Sequence, residues 1–400
     1  MKKMISVILC IVLMLTPSMI AGAIPEDMPA ETSEALLAVN TSAEVDVHAK
    51  SYVLMDVNTG TLLAASNEHQ QLYPASVTKI MTLLLVCEAI NAGKLSFDEI
   101  LTCSETAAEK GGSQIWLKPG EEMTVRELLK AAAVYSANDA CTLLGEAVAG
   151  SEAAFAELMN DRAEKLGMAD THFDNCTGLD DDTTTHLTSA YDVALMSRAL
   201  LQIDYITDFT TIWMDELRGG DTQLVNTNRL IRFYPGATGL KTGTTSKAGC
   251  CVSATAQRDG LGLIAVVMGA AGSNDRFNGA RALLDYGFAN YEIFRPELDA
   301  GSYGTVRVCH GEQSEVALYT EKTQDVLLSK GAVKDVAQKV ELAEQIDAPV
   351  NKGQPLGHVV FYAGDDKIAQ YALRAACDVP AITFFSALLR ILRSVRTENI

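Results

Sequence analysis

The sequence has little positive charge for its length. Its 400 residues include 32 Lys and Arg against 51 Asp and Glu, which gives a formal net charge of −19. Proteins that bind nucleic acid do so with clustered Lys and Arg. We therefore expect no nucleic acid among the partners, and the acidic balance is consistent with a protein that is soluble outside the cell.

The sequence also lacks the spacings that usually bind zinc. It has no C-x-x-C, and no two of its six histidines form H-x-x-x-H. These are common ligand pairs of zinc sites, so we expect none. Nine cysteines are spaced irregularly. That spacing leaves open whether the cysteines of the mature chain form disulfides or remain buried thiols.

The sequence also lacks an apolar run that is long enough to form a stable membrane span. The apolar segment near the N-terminus follows a positively charged start, is short, and ends at the A-x-A-like site Ala21-Gly22-Ala23. These features are typical of a secretory signal peptide over residues 1–23. We expect export of the chain, with a flexible acidic linker over residues 24–45.

The pattern over residues 46–294 predicts one α+β domain. A hairpin signal at Asn58-Thr59-Gly60 comes first, helical sequence covers about 124–201, and strand-like runs follow as far as Met268. Helix starts are predicted at Thr124-x-x-Glu127, Ser189-x-x-Asp192 and Ser273-Asn274-Asp275. Strands at both ends of a helical insertion, closed by a last helix, suggest an antiparallel sheet packed with helices.

Residues 295–377 change to short strand-like runs separated by turn residues. This pattern predicts a small all-β domain. Because it has no convincing catalytic pattern, we interpret it as a spacer or an interaction module.

The tail, residues 378–400, combines an apolar face with three arginines at three-residue steps, Arg390, Arg393 and Arg396. This favours an amphipathic helix that lies on an anionic membrane surface through residues 379–397. The alternative is a helix packed against the β domain.

An almost unbroken apolar run follows Pro74 and predicts a helix to Asn91 that is buried on all sides. Ser76 lies at its start and Lys79 three positions later, so a hydroxyl and an amine share one face. A buried lysine is costly unless it is paired or has a lowered pKa, and a lowered pKa suits a general base. The alternative is that Ser76 only caps the helix and that Lys79 reaches solvent.

Two further tripeptides add groups that complement this pair. Ser136-Ala137-Asn138 places a hydroxyl and an amide at a predicted helix break, where side chains can point into a cleft. Lys241-Thr242-Gly243 lies in a strand-like run, and Gly243 permits close approach of a substrate backbone. Each tripeptide alone is common, and K-T-G alone would indicate a turn. All three in this order, with a buried helix behind the first, indicate one site.

The motifs resemble S-x-x-K, S-D-N and K-T-G of the serine penicillin-recognising enzymes. The chain is most similar to the low-molecular-weight penicillin-binding proteins that act as D-alanyl-D-alanine carboxypeptidases, through residues 73–82, 135–140, 171–186 and 239–249. Nearly the whole chain is covered, because those proteins also have a signal peptide, a β-rich second domain and an amphipathic anchor. The resemblance implies a DD-peptidase/β-lactamase-like fold, no metal or cofactor, and a location at the outer face of the bacterial cytoplasmic membrane.

The resemblance also implies roles for individual residues. Ser76 would attack the carbonyl between the terminal D-alanines of a peptidoglycan stem peptide, Lys79 would take its proton, and Ser136 would pass a proton to the leaving amine. β-Lactam antibiotics would be covalent inhibitors at the same serine. The residues that would bind the substrate are Asn138, Lys241, Thr242, Gly243, Thr244 and Arg276.

Departures from the family pattern limit the activities that we expect of this chain. Thr244 stands where some relatives have His, which leaves the rate and the pH profile open. Ala137 stands where class A β-lactamases usually have Asp, and residues 150–190 contain no E-x-x-L-N, so efficient β-lactam hydrolysis is not expected. The alternatives are a DD-endopeptidase or a β-lactamase at the same site, or a catalytically silent protein that binds the cell wall or senses penicillin.

Overall fold

The structure, a computed structural model, describes residues 45–389. The predicted signal peptide, all of the predicted linker except Val45, and the end of the predicted tail lie outside the described residues.

An antiparallel sheet of five strands forms the centre of the larger part of the chain. The strands before residue 273 are β1 Ser51–Asp56, β2 Leu62–Ser66, β3 Ile100–Thr102, β4 Glu122–Thr124, β5 Met214–Leu217, β6 Thr222–Val225, β7 Ala237–Thr245, β8 Gly249–Arg258 and β9 Leu261–Ala270. The central sheet has the order β2-β1-β9-β8-β7, and each neighbouring pair is antiparallel. The predicted hairpin between β1 and β2 is confirmed.

Helices pack on both faces of this sheet. The helices of this part of the chain are α1 Lys79–Asn91, α2 Glu105–Ala108, α3 Val125–Lys130, α4 Asn138–Ala149, α5 Glu152–Lys165, α6 Ala190–Leu201, α7 Thr207–Thr210, α8 Leu230–Phe233 and α9 Ser273–Asn290. Along β9, Ile264 and Val266 join the core beneath α1 and its neighbours, whereas Leu263 and Ala265 join the core beneath α9. Both faces of β9 are therefore buried, which explains its continuous apolar sequence. The predicted α+β class is confirmed.

Two of the three predicted helix starts are confirmed. Thr124 Oγ1 accepts from Glu127 N–H while Glu127 accepts from Thr124 N–H, a full capping box. Ser189 Oγ accepts from the backbone of the residue three positions later. The third prediction is wrong by one residue, because α9 begins at Ser273 and its N-cap is Gly272. Ser273 Oγ instead lies 3.4 Å from a guanidinium nitrogen of the same helix.

A second sheet, of six strands, forms the C-terminal part. The strands of this part, six of them in the sheet, are β10 Tyr291–Phe294, β11 Thr305–Cys309, β12 Glu315–Tyr319, β13 Val326–Ser329, β14 Val336–Leu342, β15 Gln345–Asp347, β16 Pro355–Ala363 and β17 Asp366–Ala375. The sheet has the order β14-β16-β17-β12-β11-β15, and β10 pairs with β13 across the predicted domain limit at residue 294. The predicted all-β domain is confirmed.

The start of the predicted tail belongs to the β domain. Val379 is buried and pairs with Val350, and Ala381 pairs with Gly311. Residues 384–389 are helical. Their exposed apolar side chains are Phe384, Phe385, Leu388 and Leu389. Within residues 45–389, every helix is too short or too polar to cross a membrane.

The cysteines of the described chain are free thiols, the second of the two alternatives left open by the sequence. Six of them are buried, and Cys377 is exposed. Burial raises the pKa of Cys87 to about 12 and that of Cys141 to about 11. Such thiols are protonated at neutral pH and chemically inert.

Candidate active site

Ser76 and Lys79 face each other at the start of the buried helix. The segment Ala75–Thr78 forms one 3₁₀ turn that leads into α1. Lys79 Nζ is hydrogen-bonded to Ser76 Oγ at 2.8 Å and donates to the Thr177 carbonyl at 2.7 Å. Lys79 is fully buried, so the alternative that it reaches solvent is wrong. Burial lowers the pKa of its amine.

The loop that supplies the Thr177 carbonyl is held in place by Asn175. Its Oδ1 accepts from Thr177 N–H at 3.0 Å and from Gly178 N–H at 2.7 Å. Gly178 has φ +84°, and a Cβ there would lie 1.8 Å from the Ala75 carbonyl oxygen. Only glycine permits this approach. The sequence argument did not assign Thr177 a role, because any residue type has a carbonyl group.

A buried histidine fixes the same turn from another side. His186 Nδ1 accepts from Asp174 N–H at 3.0 Å, so its Nε2–H donates to Thr78 Oγ1 at 2.8 Å. Burial lowers the pKa of His186 to about 4. The imidazole is therefore neutral at pH 7, and its hydrogen bond to Thr78 holds the turn between Ser76 and Lys79 in place.

Ser136 and Asn138 lie where the π-helical turn Ala131–Tyr135 meets α4. Ser136 has a left-handed backbone, with φ +67°. Asn138 donates from its side chain to Gly111 O and from its backbone to Ser113 O, both at 2.7 Å. Among the described residues, Ser136 Oγ and Asn138 Oδ1 are buried without a hydrogen-bond partner. Such atoms are rare and costly, and they are typical of sites that receive a polar ligand.

Strand β7 brings Lys241, Thr242 and Gly243 alongside the serine. A Cβ at Gly243 would lie 2.8 Å from Ser76 N and 2.8 Å from Pro74 O. The predicted close approach at Gly243 therefore involves the protein's own backbone. Lys241 is buried, and its pKa is lowered well below the usual value by burial and by the nearby charge of Lys79.

Arg276, in the first turn of α9, reaches the end of β7. Its Nη1 donates to Thr244 Oγ1 and Gly243 O at 2.9 Å and to Cys251 O at 3.3 Å. Burial lowers its pKa, and within the described residues its Nε has no hydrogen-bond partner. The Nη1 group of Arg276 thus already donates hydrogen bonds to other groups of the protein. The sequence did not predict these contacts.

Three basic side chains line this cleft, although the protein as a whole has a negative net charge. Lys79, Lys241 and Arg276 are all buried, and in the described part of the chain none of them forms an ion pair. A carboxylate ligand would meet uncompensated positive charge there. No three His, Cys, Asp or Glu side chains are placed to hold a metal ion within residues 45–389. The site can therefore combine a nucleophile, an adjacent amine base and an anion-binding region.

Comparisons with known proteins agree with this arrangement. The family model described as D-alanyl-D-alanine carboxypeptidase matches residues 38–272, and the model described as the C-terminal domain of penicillin-binding protein 5 matches residues 298–381. The chain is 40% identical over 355 residues to the D-alanyl-D-alanine carboxypeptidase DacF of Bacillus subtilis (strain 168), a match that covers 88% of this chain and 91% of that protein.

Solved structures give the same result for the fold. Penicillin binding protein 5 from Haemophilus influenzae superposes with a TM-score of 0.71 and 31% identity, over 84% of this chain and 99% of that one. Penicillin-Binding Protein D2 from Listeria monocytogenes, solved with ampicillin bound, superposes with a TM-score of 0.57 and 31% identity, over 62% of this chain and 100% of that one.

Proposed function

We propose that Ser76 is the nucleophile of this chain, which belongs to the D-alanyl-D-alanine carboxypeptidase family and is a serine-type D-Ala-D-Ala carboxypeptidase. One observation carries the proposal. A fully buried amine, Lys79 Nζ, lies 2.8 Å from Ser76 Oγ. An adjacent base with a lowered pKa is the usual means of activating a serine hydroxyl.

In acylation, Ser76 Oγ attacks the carbonyl carbon between the two terminal D-alanines of a peptidoglycan stem peptide, and its proton passes to Lys79 Nζ. The negative oxygen formed by attack is stabilised by the backbone N–H groups of Ser76 and Thr244. Loss of one such donor typically costs about 3 kcal/mol. Lys79 returns this proton through Ser136 to the leaving nitrogen, the C–N bond breaks, and D-alanine departs from a Ser76 ester.

In deacylation, a water molecule attacks this ester and gives a proton to Lys79. The ester C–O bond breaks, Ser76 recovers its hydroxyl, and the peptide shortened by one D-alanine is released. The hydrogen bond from Lys79 to the Thr177 carbonyl keeps the amine in place through both steps. No external co-reactant other than water is needed.

The substrate is held at its C-terminal carboxylate and at its peptide backbone. We propose that Arg276 and Lys241 supply the positive charge for the carboxylate, with Thr242 and Thr244 donating from their hydroxyls. Arg276 Nη1 donates to Thr244 Oγ1. This contact supports a role in which the arginine acts on the carboxylate partly by orienting the threonine hydroxyl. The unpartnered Asn138 Oδ1 accepts from the substrate amide.

β-Lactam antibiotics are expected to acylate Ser76 by the same attack on a strained amide. A purified sample incubated with labelled penicillin should form a covalent adduct, and one incubated with diacetyl-L-Lys-D-Ala-D-Ala should release D-alanine. Ser76→Ala should do neither. If the variant behaves like the parent, or if the parent forms no adduct and releases no D-alanine, the assignment of Ser76 is wrong.

For location, we propose that the chain is exported and bound to the outer face of the cytoplasmic membrane by its C-terminal helix, with residues 46–294 as the catalytic domain and residues 295–377 as a spacer. The exposed Phe384, Phe385 and Leu389 support an apolar contact with lipid. Because Val379 is a core residue of the β domain, the deletion that tests this should begin at residue 384. Sedimentation of the deleted form with anionic phospholipid vesicles would contradict the anchor.

A further inference from the structure

Trp116 is unusually exposed for a large aromatic residue. It is 72% exposed, whereas its neighbours Ile115 and Leu117 are buried in the core. An indole gains much of its contribution to folding from burial. The position therefore contributes little to stability, and its exposure calls for another explanation.

A buried carboxylate holds Trp116 in this outward position. Asp139 accepts from Ile115 N–H at 3.1 Å and from Leu117 N–H at 3.0 Å, so the backbone is held on both sides of the tryptophan. Trp116 has φ +59°, a left-handed conformation that is strained for any side chain except glycine. Strain that is maintained by its surroundings is typical of functional positions.

The loop that presents Trp116 also forms one wall of the cleft. Its residues Gly111 and Ser113 accept hydrogen bonds from Asn138, the residue next to Asp139. In the proposed function the substrate carboxylate lies at Arg276 and the scissile carbonyl at Ser76. The peptide therefore runs from Arg276 past Asn138, and the residue that precedes the two D-alanines approaches this loop.

We propose that Trp116 binds the side chain of that preceding residue when it is a long alkyl chain ending in an amine. This inference rests on the proposed function. The indole face makes apolar contact with methylene groups, and its quadrupole attracts an ammonium group.

Three matched substrates separate the parts of this interaction: acetyl-L-Lys-D-Ala-D-Ala with a free side-chain amine, its diacetyl form, and acetyl-L-Ala-D-Ala-D-Ala. For Trp116→Ala we expect kcat/KM to fall about fivefold on the first and about twofold on the second, and to stay unchanged on the third. Trp116→Phe should retain most of the preference for the substrate with the free side-chain amine. An equal change on all three substrates, or no change on any, would overturn the inference.

Controls separate this interaction from other effects. Ile100→Ala removes another exposed apolar side chain and should leave the substrate preference unchanged. The rate of acylation by benzylpenicillin and the melting temperature should be the same in Trp116→Ala and the parent. A loss confined to a substrate that bears the disaccharide of the glycan would assign Trp116 to sugar binding and overturn the side-chain assignment. If the parent hydrolyses none of the peptides, the proposed function itself has failed.

Discussion

The interiors of the two parts of the chain differ in kind. Every buried polar or charged side chain among the described residues lies between Ser51 and Arg276, and none lies in residues 295–389. The β domain is closed by an apolar core that includes Val359 and Leu373. Burial of polar groups is costly. The molecule thus carries most of that cost in the part of the chain that contains Ser76, whereas the β domain is closed mainly by apolar side chains.

Replacement of Lys79 should have the largest effect on catalysis. We expect Lys79→Met to lower the rate of Ser76 acylation by labelled penicillin at least about a thousandfold, since the base is lost. Its free energy of unfolding at pH 7 should not fall, because a buried amine is replaced by an apolar chain of similar length. A variant that loses both acylation and stability would show that Lys79 supports the fold as well, and would weaken the contrast between the two interiors.

Gly243→Ala should have the next largest effect. The new Cβ would lie 2.8 Å from Ser76 N, so β7 must move away from the serine and from the backbone N–H group that we propose to bind the oxyanion. We expect acylation to slow by about a hundredfold. As a control, Gly93→Ala adds a Cβ in open space at φ +70°, which should cost about 1 kcal/mol of stability and leave acylation unchanged. Equal acylation rates in the two variants would contradict this account.

Arg276→Ala should have an intermediate effect on peptide turnover. We expect kcat/KM for D-Ala-D-Ala peptides to fall about 10- to 100-fold, because a charged hydrogen-bond donor beside Thr244 is removed. Arg276→Lys should restore only part of this, since a lysine has no planar fork. A change smaller than twofold would mean that the carboxylate binds elsewhere.

Val359→Ala in the β domain should have the smallest effect on catalysis. Val359 is fully buried, so its truncation should lower the free energy of unfolding by about 2 kcal/mol in a denaturant titration. Acylation and D-alanine release by the folded protein should stay within about twofold of the parent. A large loss of activity without unfolding would show that the β domain takes part in the chemistry.

Local patterns in the sequence were sufficient for much of the fold. The caps at Thr124 and Ser189 and the hairpin between β1 and β2 depend on neighbouring residues, and all were predicted. Contacts between distant segments were not. The carbonyl of Thr177 is a partner that any residue type could supply, and the occupied Nη1 of Arg276 depends on how α9 meets β7.

The site motifs were predicted as a set, but their neighbours were not. The contact of Lys79 with Ser76 and the approach of Gly243 to the serine agree with short motifs whose chemistry fits together. His186, which supports the turn of the serine, lies in the stretch 171–186 that resembles the family, but nothing in the sequence indicated a role for it. The sequence did not predict that Val379 belongs to the β domain, because the apolar residues around it continue directly into the tail.

The most direct test of the central claim is the pKa of the Lys79 amine in the native protein. It can be read from the NMR signal of its Cε in protein labelled at lysine, with Lys79→Met to assign the signal. We predict a pKa below the ordinary value of 10.5, acylation that speeds up as pH rises through that pKa, and a folded state that gains stability between that pKa and 10.5, where the unfolded chain binds more protons. An amine that remains protonated up to pH 10.5 while Ser76 is acylated at full rate would contradict the account.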